Sequence, residues 1–514
     1  MTAWMGSEDG LTPGRMGFAV AAACGVFLSA SGGTLAVRWR IWAERHGRWL
    51  LVGSLGLVLA WGFGSALIRF ASYAASVDLA LHDNLEWNST QGRLYEFWNG
   101  SLLAYHVTGV PLLALPFYVL LGGPSGLLFP QSVALVASAM PMYALARRML
   151  PPLPSGMLSL ALPLLPGLYA QHLADFHEAP FVALPFLLAL LFFEQGRFRS
   201  FVAAYAGAGM VIEYYALALC LFGPYALLRR RSRRWVMVPL AVSISWLLVA
   251  YLLVMPHFRA TAGAAPAAIW GTQYYSHLGS GPGEIVASVL GDPFGSLLAN
   301  PLGLPGPPIQ LLYLRDLLLP FFVVLPFGAP ESLFALADLL KNLPTGTWEA
   351  SWIAGHHSVL ASAALLAGTA TVLGRLHSGR PELVRGLAAA VLALAAFSPQ
   401  TVASILTPAF LLRVEPLPFA GALALIGPED SVVGTLGVVS HLSRRRDVYP
   451  ASHPEGLRAV QERRAKYVLL DLGSPVVGEA EVYQTVTSDT SYSRRYVQGR
   501  VALFVLGHGD APPG

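Results

Sequence analysis

Apolar runs of about twenty residues, closed one after another by arginine clusters, constrain this chain more than any other feature. Each run is long enough to cross a bilayer as a helix, and each cluster marks where such a helix meets the cytoplasm. Hydrophobic residues make up 55% of the 514 and charged residues only 12%. Soluble domains carry about 25% charge, so a chain at half that level must place much of its surface in lipid. The net charge of +4 belongs to the loop anchors and forms no basic face, so no nucleic-acid partner is expected. Cys24 and Cys220 both lie within apolar runs and read as small hydrophobes, not as a disulfide or metal framework.

The arginines also orient the bundle. The first run, Met16–Val37, is preceded by Glu8, Asp9 and Arg15 and followed by Arg38, Arg40, Arg45 and Arg48. A cleavable signal has the reverse arrangement, so this is read as a spanning helix with its C-terminal end inside. The second run, Trp49–Phe70, then leads outward. Arg147 and Arg148, Arg197 and Arg199, the Arg229–Arg234 cluster, and Arg375 and Arg380 each close a later run on the inner side if the spans alternate. That leaves Asp78–His106, His172–Glu178, Pro256–Gln310, Leu343–His357 and everything after about Thr401 outside. Val107–Leu121 is short and Pro-bounded, and Phe201–Leu228 fits neither one span nor two; both read as broken or re-entrant helices lining a cavity. Past Leu411 the pattern turns to that of a small α/β domain: Ser431–Val439 is β-like, His453–Arg464 helical, Tyr467–Leu472 a strand, and Tyr496–Leu506 a hairpin about Gln498-Gly499.

The fold class expected is therefore an all-α polytopic membrane bundle of about 11–13 transmembrane helices with a small C-terminal extracytoplasmic α/β domain. Residues 1–48 form an extra N-terminal span and a cytoplasmic loop. Residues 49–410 form the core, with external loops at 71–106 and 256–310, and residues 411–514 form the tail domain.

Polar groups cluster unevenly on the outer side. Val77 to Asn88 holds three carboxylates (Asp78, Asp83, Glu86), one imidazole (His82) and two amides. Asp78 stands closest to the bilayer, where partial desolvation raises a carboxyl pKa and suits it to act as general base or metal ligand. His106 closes the same loop. A second cluster, His172 to Glu178, brings two histidines together with Asp175 and Glu178 beside His177, a set suited to a hard divalent cation or a phosphate. Glu213 lies within an apolar stretch, which marks a functional carboxylate by default. Arg259 and Arg315 are phosphate clamps by chemistry, Arg315 being equally able to pair with Asp316, and Glu349, His356 and His357 follow on the outer side.

At these residues the chain resembles a family of bacterial membrane proteins, domain-of-unknown-function 2079. That family has a first-loop pattern D-L-G-x-F-D-Q-x-x-W-N-x-x-x-G, matched in register by Asp78, Leu79, Asp83, Trp87, Asn88 and Gly92. A His before a Pro-rich helix (His106), an A-R-R end to the next span (Ala146-Arg147-Arg148) and a D-F-H turn (Asp175-Phe176-His177) follow in order. Of a later K-E-D only Glu213 matches, with Ile212 and Tyr214 as its neighbours; Ala80 and Asn84 replace the usual Gly and Gln. The resemblance runs from about residue 70 to 375 and extends to Ser440–Arg444 and Tyr467–Leu472 in the tail.

The family's topology is similar to that of the C-type glycosyltransferases, which take a sugar from a polyprenyl-phosphate lipid. The resemblance implies that Asp78, or Asp83, deprotonates or orients an acceptor hydroxyl. It implies that the lipid phosphate leaves toward cationic groups such as His177, Arg259 or Arg315, with His106, Glu178, Glu213 and His356 as further substrate contacts. A divalent cation (Mg or Mn) held by Asp78, Asp175 and His177 would be its cofactor. The partners implied are the lipid bilayer and a polyprenyl-phosphate-linked sugar, and the place is the outer face of the bacterial cytoplasmic membrane. The alternative is a transporter or flippase of a lipid or amphiphile that uses Glu213 as a proton-coupled site.

Overall fold

The computed structural model describes residues 34–98, 100–173, 175–261, 272–298, 308–347, 352–413, 417–474 and 476–507. Most of the expected first span, Met16–Val37, and Glu349 lie outside the described residues. The first described element, α1 (Thr34–Ala71), is a single 38-residue helix. It has no proline, so Arg38, Arg40, Arg45 and Arg48 stand in a helix that runs on into the membrane segment, not in the expected loop.

Four helices among the described residues are long and apolar enough to cross a membrane: His46–Ala71, Pro124–Ala146, Arg233–Ala260 and His356–His377. Two bent pairs, Pro152–Leu164 with Pro166–His172 and Pro381–Ala396 with Pro399–Leu411, bring the count to six. The bends, 49° and 46°, fall where Pro166 and Pro399 remove a backbone donor. Three shorter apolar helices, Val110–Leu121, Ala179–Glu194 and Tyr215–Leu228, complete the set. Among the described residues, length and composition thus mark four to six full spans, against the 11–13 expected for the whole chain. Prolines cut the apolar runs into pieces that cannot each reach across. The stretch after Thr401, expected outside, begins in the second half of a bent apolar pair (Pro399–Leu411), started by Ser398, whose hydroxyl accepts from the Thr401 N–H at 3.2 Å.

The first external loop is mostly the helix α2 (Val77–Thr90). Ser76 caps it, and Asp78 in its first turn suits the positive end of the helix dipole. It is no solvated surface helix: Leu79, Ala80, His82, Asp83, Asn84, Leu85, Glu86 and Asn88 are all buried. Downstream, α3 (Val110–Leu121), only 12 residues and about 18 Å long, is too short to span. It leads into α4 (Pro124–Ala146). The region around Glu213 is broken as the sequence suggests, with helix Phe198–Gly209 ending before it and Tyr215–Cys220 starting after it. Later in the chain, α5 (Ala335–Asn342) is a short amphipathic helix.

The tail holds strands β1 (Val432–Gly434), β2 (Val448–Pro450), β3 (Tyr467–Asp471), β4 (Tyr492–Gln498) and β5 (Val501–Leu506). Their order in the sheet is β2-β1-β3-β5-β4, parallel among the first three and antiparallel beyond. The hairpin turns at Gly499, whose φ of +55° favours glycine. Helix α6 (Val439–Leu442) follows β1, which is shorter than the expected Ser431–Val439 because the chain turns at Gly437. That glycine has φ +83°, and a Cβ there would lie 2.0 Å from the Tyr73 carbonyl oxygen. Only glycine lets the tail approach the end of α1 this closely.

Loop and tail share one core. Ala80, Leu85, Phe97 and Trp98 pack with Val439, Leu442, Leu469 and Leu503. Burial of each larger side chain contributes about 1.5–3 kcal/mol, so the tail is fastened to the loop by apolar burial as well as by polar contacts.

Candidate functional site

Asp78 and His82 are four residues apart on α2 and so share one helix face. Glu178 meets that face: its Oε1 is 3.7 Å from His82 Nε2, and its Oε2 is 3.4 Å from His177 Nδ1. The His177 ring stacks on His356 at 3.5 Å and 15°, and His357 follows 3.9 Å beyond. The Ala179 N–H donates to His177 Nδ1 at 3.3 Å, which leaves the proton of the neutral ring on Nε2. Burial and the neighbouring His356, in that order, hold His177 well below the usual histidine range.

The turn carrying these groups is held by a residue outside the expected site set. Gln131, fully buried on α4, donates to the carbonyls of Gln171 (2.8 Å) and Asp175 (3.1 Å) and accepts the His177 N–H at 2.8 Å. Asp175 is likewise fixed: it accepts from the Ser76 N–H and lies 3.4 Å from the Arg69 guanidinium.

Asp78 differs from its neighbours. It is half-buried, and its carboxylate has no hydrogen-bond or ion-pair partner among the described residues. Burial first, then the charges of Asp175 and Glu178, push its pKa up to about 7, against the lowering pull of Arg69. A carboxylate poised near neutrality and free to accept a proton is what general-base catalysis requires.

A second group adjoins the first. His106 Nδ1 is 3.2 Å from Glu213 Oε1, and the Val107 N–H donates to Glu213 Oε2 at 2.9 Å. Arg259 donates from Nε to the Ala104 carbonyl at 2.7 Å, while its Nη2 is buried without a partner among the described residues. Lys341 of α5, which sequence reasoning missed, stands 4.4 Å over the Tyr214 ring. It is ion-paired with Asp338 at 3.6 Å, and Tyr275 of the external loop donates to its carbonyl at 2.7 Å. Where the resembling pattern has a lysine and an aspartate flanking the glutamate, this chain has Ile212 and Tyr214, and a Lys–Asp pair arrives from another helix. The sequence signal was present: two charges three residues apart in an apolar stretch, Asp338 and Lys341.

Asp78, Asp175, His177, Glu178 and His356 therefore form one neighbourhood, and His106, Glu213 and Arg259 form the group beside it. Two expected residues stand apart. Asp83 is buried against the tail, where the Ser443 hydroxyl donates to Oδ2 and the Arg444 guanidinium is 3.7 Å from Oδ1. Arg315 is exposed and donates to Asp316 at 2.7 Å, with Gln400 closing on the same carboxylate. The cation site expected from Asp78, Asp175 and His177 does not form. Among the described residues no three His, Cys, Asp or Glu side chains are grouped to hold a metal. The reason is local: Asp175 is turned to Ser76 and Arg69, and His177 to Glu178 and His356.

The apolar helices mark a multi-pass membrane protein, and its fold is similar to that of one solved membrane protein. The structure of ArnT from Cupriavidus metallidurans bound to undecaprenyl phosphate superposes with a TM-score of 0.53 at 13% identity, covering 89% of this chain and 99% of that one. The apo state of the same protein gives 0.50 at 13% identity, covering 87% and 97%. The Archaeoglobus fulgidus oligosaccharyltransferase in complex with Zn and sulfate gives 0.43 at 12% identity over 88% of this chain and 73% of that one, too low a score to bear on the fold. The chain belongs to the family described as "Predicted membrane protein (DUF2079)", whose pattern matches residues 69–499. No curated protein matches it.

Proposed function

We propose that this chain is a sugar transferase of the bacterial cytoplasmic membrane that takes its sugar from a polyprenyl-phosphate donor on the outer face. The observation that carries the reading is Asp78, a half-buried carboxyl with no partner among the described residues and its pKa raised to about 7 by burial and by Asp175 and Glu178. The bound undecaprenyl phosphate of the ArnT structure supports a lipid carrier of that class as donor.

In this reading the acceptor hydroxyl attacks the anomeric carbon and gives its proton to Asp78. The bond from that carbon to the phosphate oxygen breaks, and its electron pair leaves with the phosphate. In this reading Lys341 and the Arg259 Nη2, which has no partner among the described residues, are the cations that stabilise that leaving charge, and His177 Nε2–H adds a neutral donor. Asp175 and Gln131 hold the geometry; Asp83 and Arg315 take no part. Positioning and charge stabilisation supply most of the rate. Glu213 is held by the Val107 N–H and faces His106, which favours a latch between loop and bundle over a mobile proton carrier.

The test is sugar transfer by the purified protein from a polyprenyl-phosphate donor to water-soluble and lipid acceptors, with Asp78→Asn as the control. Loss of a general base costs roughly 10²- to 10⁴-fold in rate. Unimpaired transfer by that variant would remove Asp78 from the mechanism.

A further inference from the structure

On the far side of α2 from Asp78, an open cleft of about 470 Å³ runs between the loop helix, α3 and the tail. Its walls are Trp87, Leu115, Tyr118 and Val119, and its head is formed by Gly123 and Arg444. The outer face of α3 continues this apolar wall toward the bilayer, with Leu112, Leu113, Val119 and Leu120 all exposed. Trp87 and Tyr118 have the amphipathic character that settles at the headgroup level of a membrane.

One half-exposed cation stands at the head of this apolar slot. The Arg444 guanidinium lies 5.8 Å from the centre of the Tyr118 ring and 3.7 Å from Asp83 Oδ1. It lies against Gly123, whose φ is +64° and whose Cβ, if present, would fall 1.1 Å from Nη2. The site is thus shaped to hold a guanidinium at this spot. An apolar wall of bilayer-facing residues with a fixed, half-solvated guanidinium at one end matches an anionic amphiphile. It does not match a peptide, which would need backbone partners along the wall.

We propose that this cleft holds the headgroup of an anionic bilayer glycerophospholipid, its phosphodiester on Arg444 and the first carbons of its chains along Leu115 and Val119. The lipid would brace the seam between loop and tail from outside, and the proposal stands whether or not the chain transfers a sugar.

The test uses the purified full chain in neutral detergent, titrated with phosphatidylglycerol brominated on its acyl chains. Quenching assigned to Trp87 is the difference between wild type and Trp87→Phe. Saturable Trp87 quenching by phosphatidylglycerol is expected, with phosphatidylcholine at least about tenfold weaker and Arg444→Gln reducing affinity by a similar factor, as loss of one charge-assisted contact implies. If Arg444→Gln does not fold, wild type alone decides. Raising salt from about 0.05 to about 0.5 M must then weaken phosphatidylglycerol binding and leave phosphatidylcholine unchanged. Equal quenching by the two lipids, salt-independent binding, or undecaprenyl phosphate displacing phosphatidylglycerol at equal concentration would each overturn the assignment.

Discussion

His441 of the tail lies flat on Phe70 at the end of α1, ring centroids 4.1 Å apart and planes 8° apart, and its Nε2 donates to the Phe70 carbonyl at 2.9 Å. The contact joins the last turn of a membrane helix to the domain some 370 residues later, a few residues before Asp78. Burial lowers the His441 pKa, so the ring is neutral and keeps the Nε2–H needed for this bond. Asn84 extends the seam by donating to the carbonyls of Ser443 (2.7 Å) and Arg445 (2.8 Å).

His441→Ala removes both the stack and the hydrogen bond and should cost about 1–3 kcal/mol, read as a lowered unfolding midpoint in detergent. His441→Phe keeps the stack and should recover part of the loss. A midpoint unchanged in His441→Ala would mean the tail is not fastened through this residue.

Glu86 is buried, and neither of its carboxyl oxygens has a partner among the described residues. Burial, and then the nearby Asp83, raise its pKa from the ordinary 4.5 to about 8. The folded chain therefore binds a proton that the unfolded chain has lost across this interval. Stability from this group is full below about pH 4.5 and falls as pH rises toward 8, by about 1.4 kcal/mol per unit. Glu86→Gln should flatten the decline of the unfolding midpoint between these pH values relative to wild type. Parallel curves for the two proteins would show that Glu86 is ionised in the fold.

In the proposed reaction Lys341 is the cation that receives the leaving phosphate. Lys341→Met keeps the stem over Tyr214 and removes the charge, and should lower kcat by roughly 10²-fold, with a smaller change in KM, since the charge it meets develops in the transition state. A rise in KM alone would place Lys341 in ground-state binding only.

The membrane class and the tail were legible because their signals are local. Apolar length marks a span, the Tyr467–Asp471 strand stands out as a short apolar run, and the Gly499 hairpin stands out by alternation. The parallel placement of β1 between β2 and β3 was not, because sheet order depends on contacts distant in sequence. In the site, Asp83 stands apart from Asp78 by helix geometry. Five residues beyond Asp78 is about 140° around the helix, so Asp83 turns to Ser443 and Arg444, while His82, four residues on, stays with Asp78. For Arg315 the sequence left a phosphate clamp and a pair with Asp316 equally open, and the structure has it paired with its own neighbour. Gln131 and Lys341 carry no motif; what makes them matter is the turn and the rings they reach across the fold.

Asp78 is the base of the proposed reaction, and the pH profile of sugar transfer from a polyprenyl-phosphate donor by wild type, Asp78→Asn and Asp83→Asn tests it. Wild-type kcat/KM should rise through an apparent pKa of about 7 as Asp78 ionises. Asp83→Asn should keep that rising limb even if it loses stability, and Asp78→Asn should lose both the limb and roughly 10²- to 10⁴-fold in rate. A rising limb retained in Asp78→Asn, or lost in Asp83→Asn, would contradict the account.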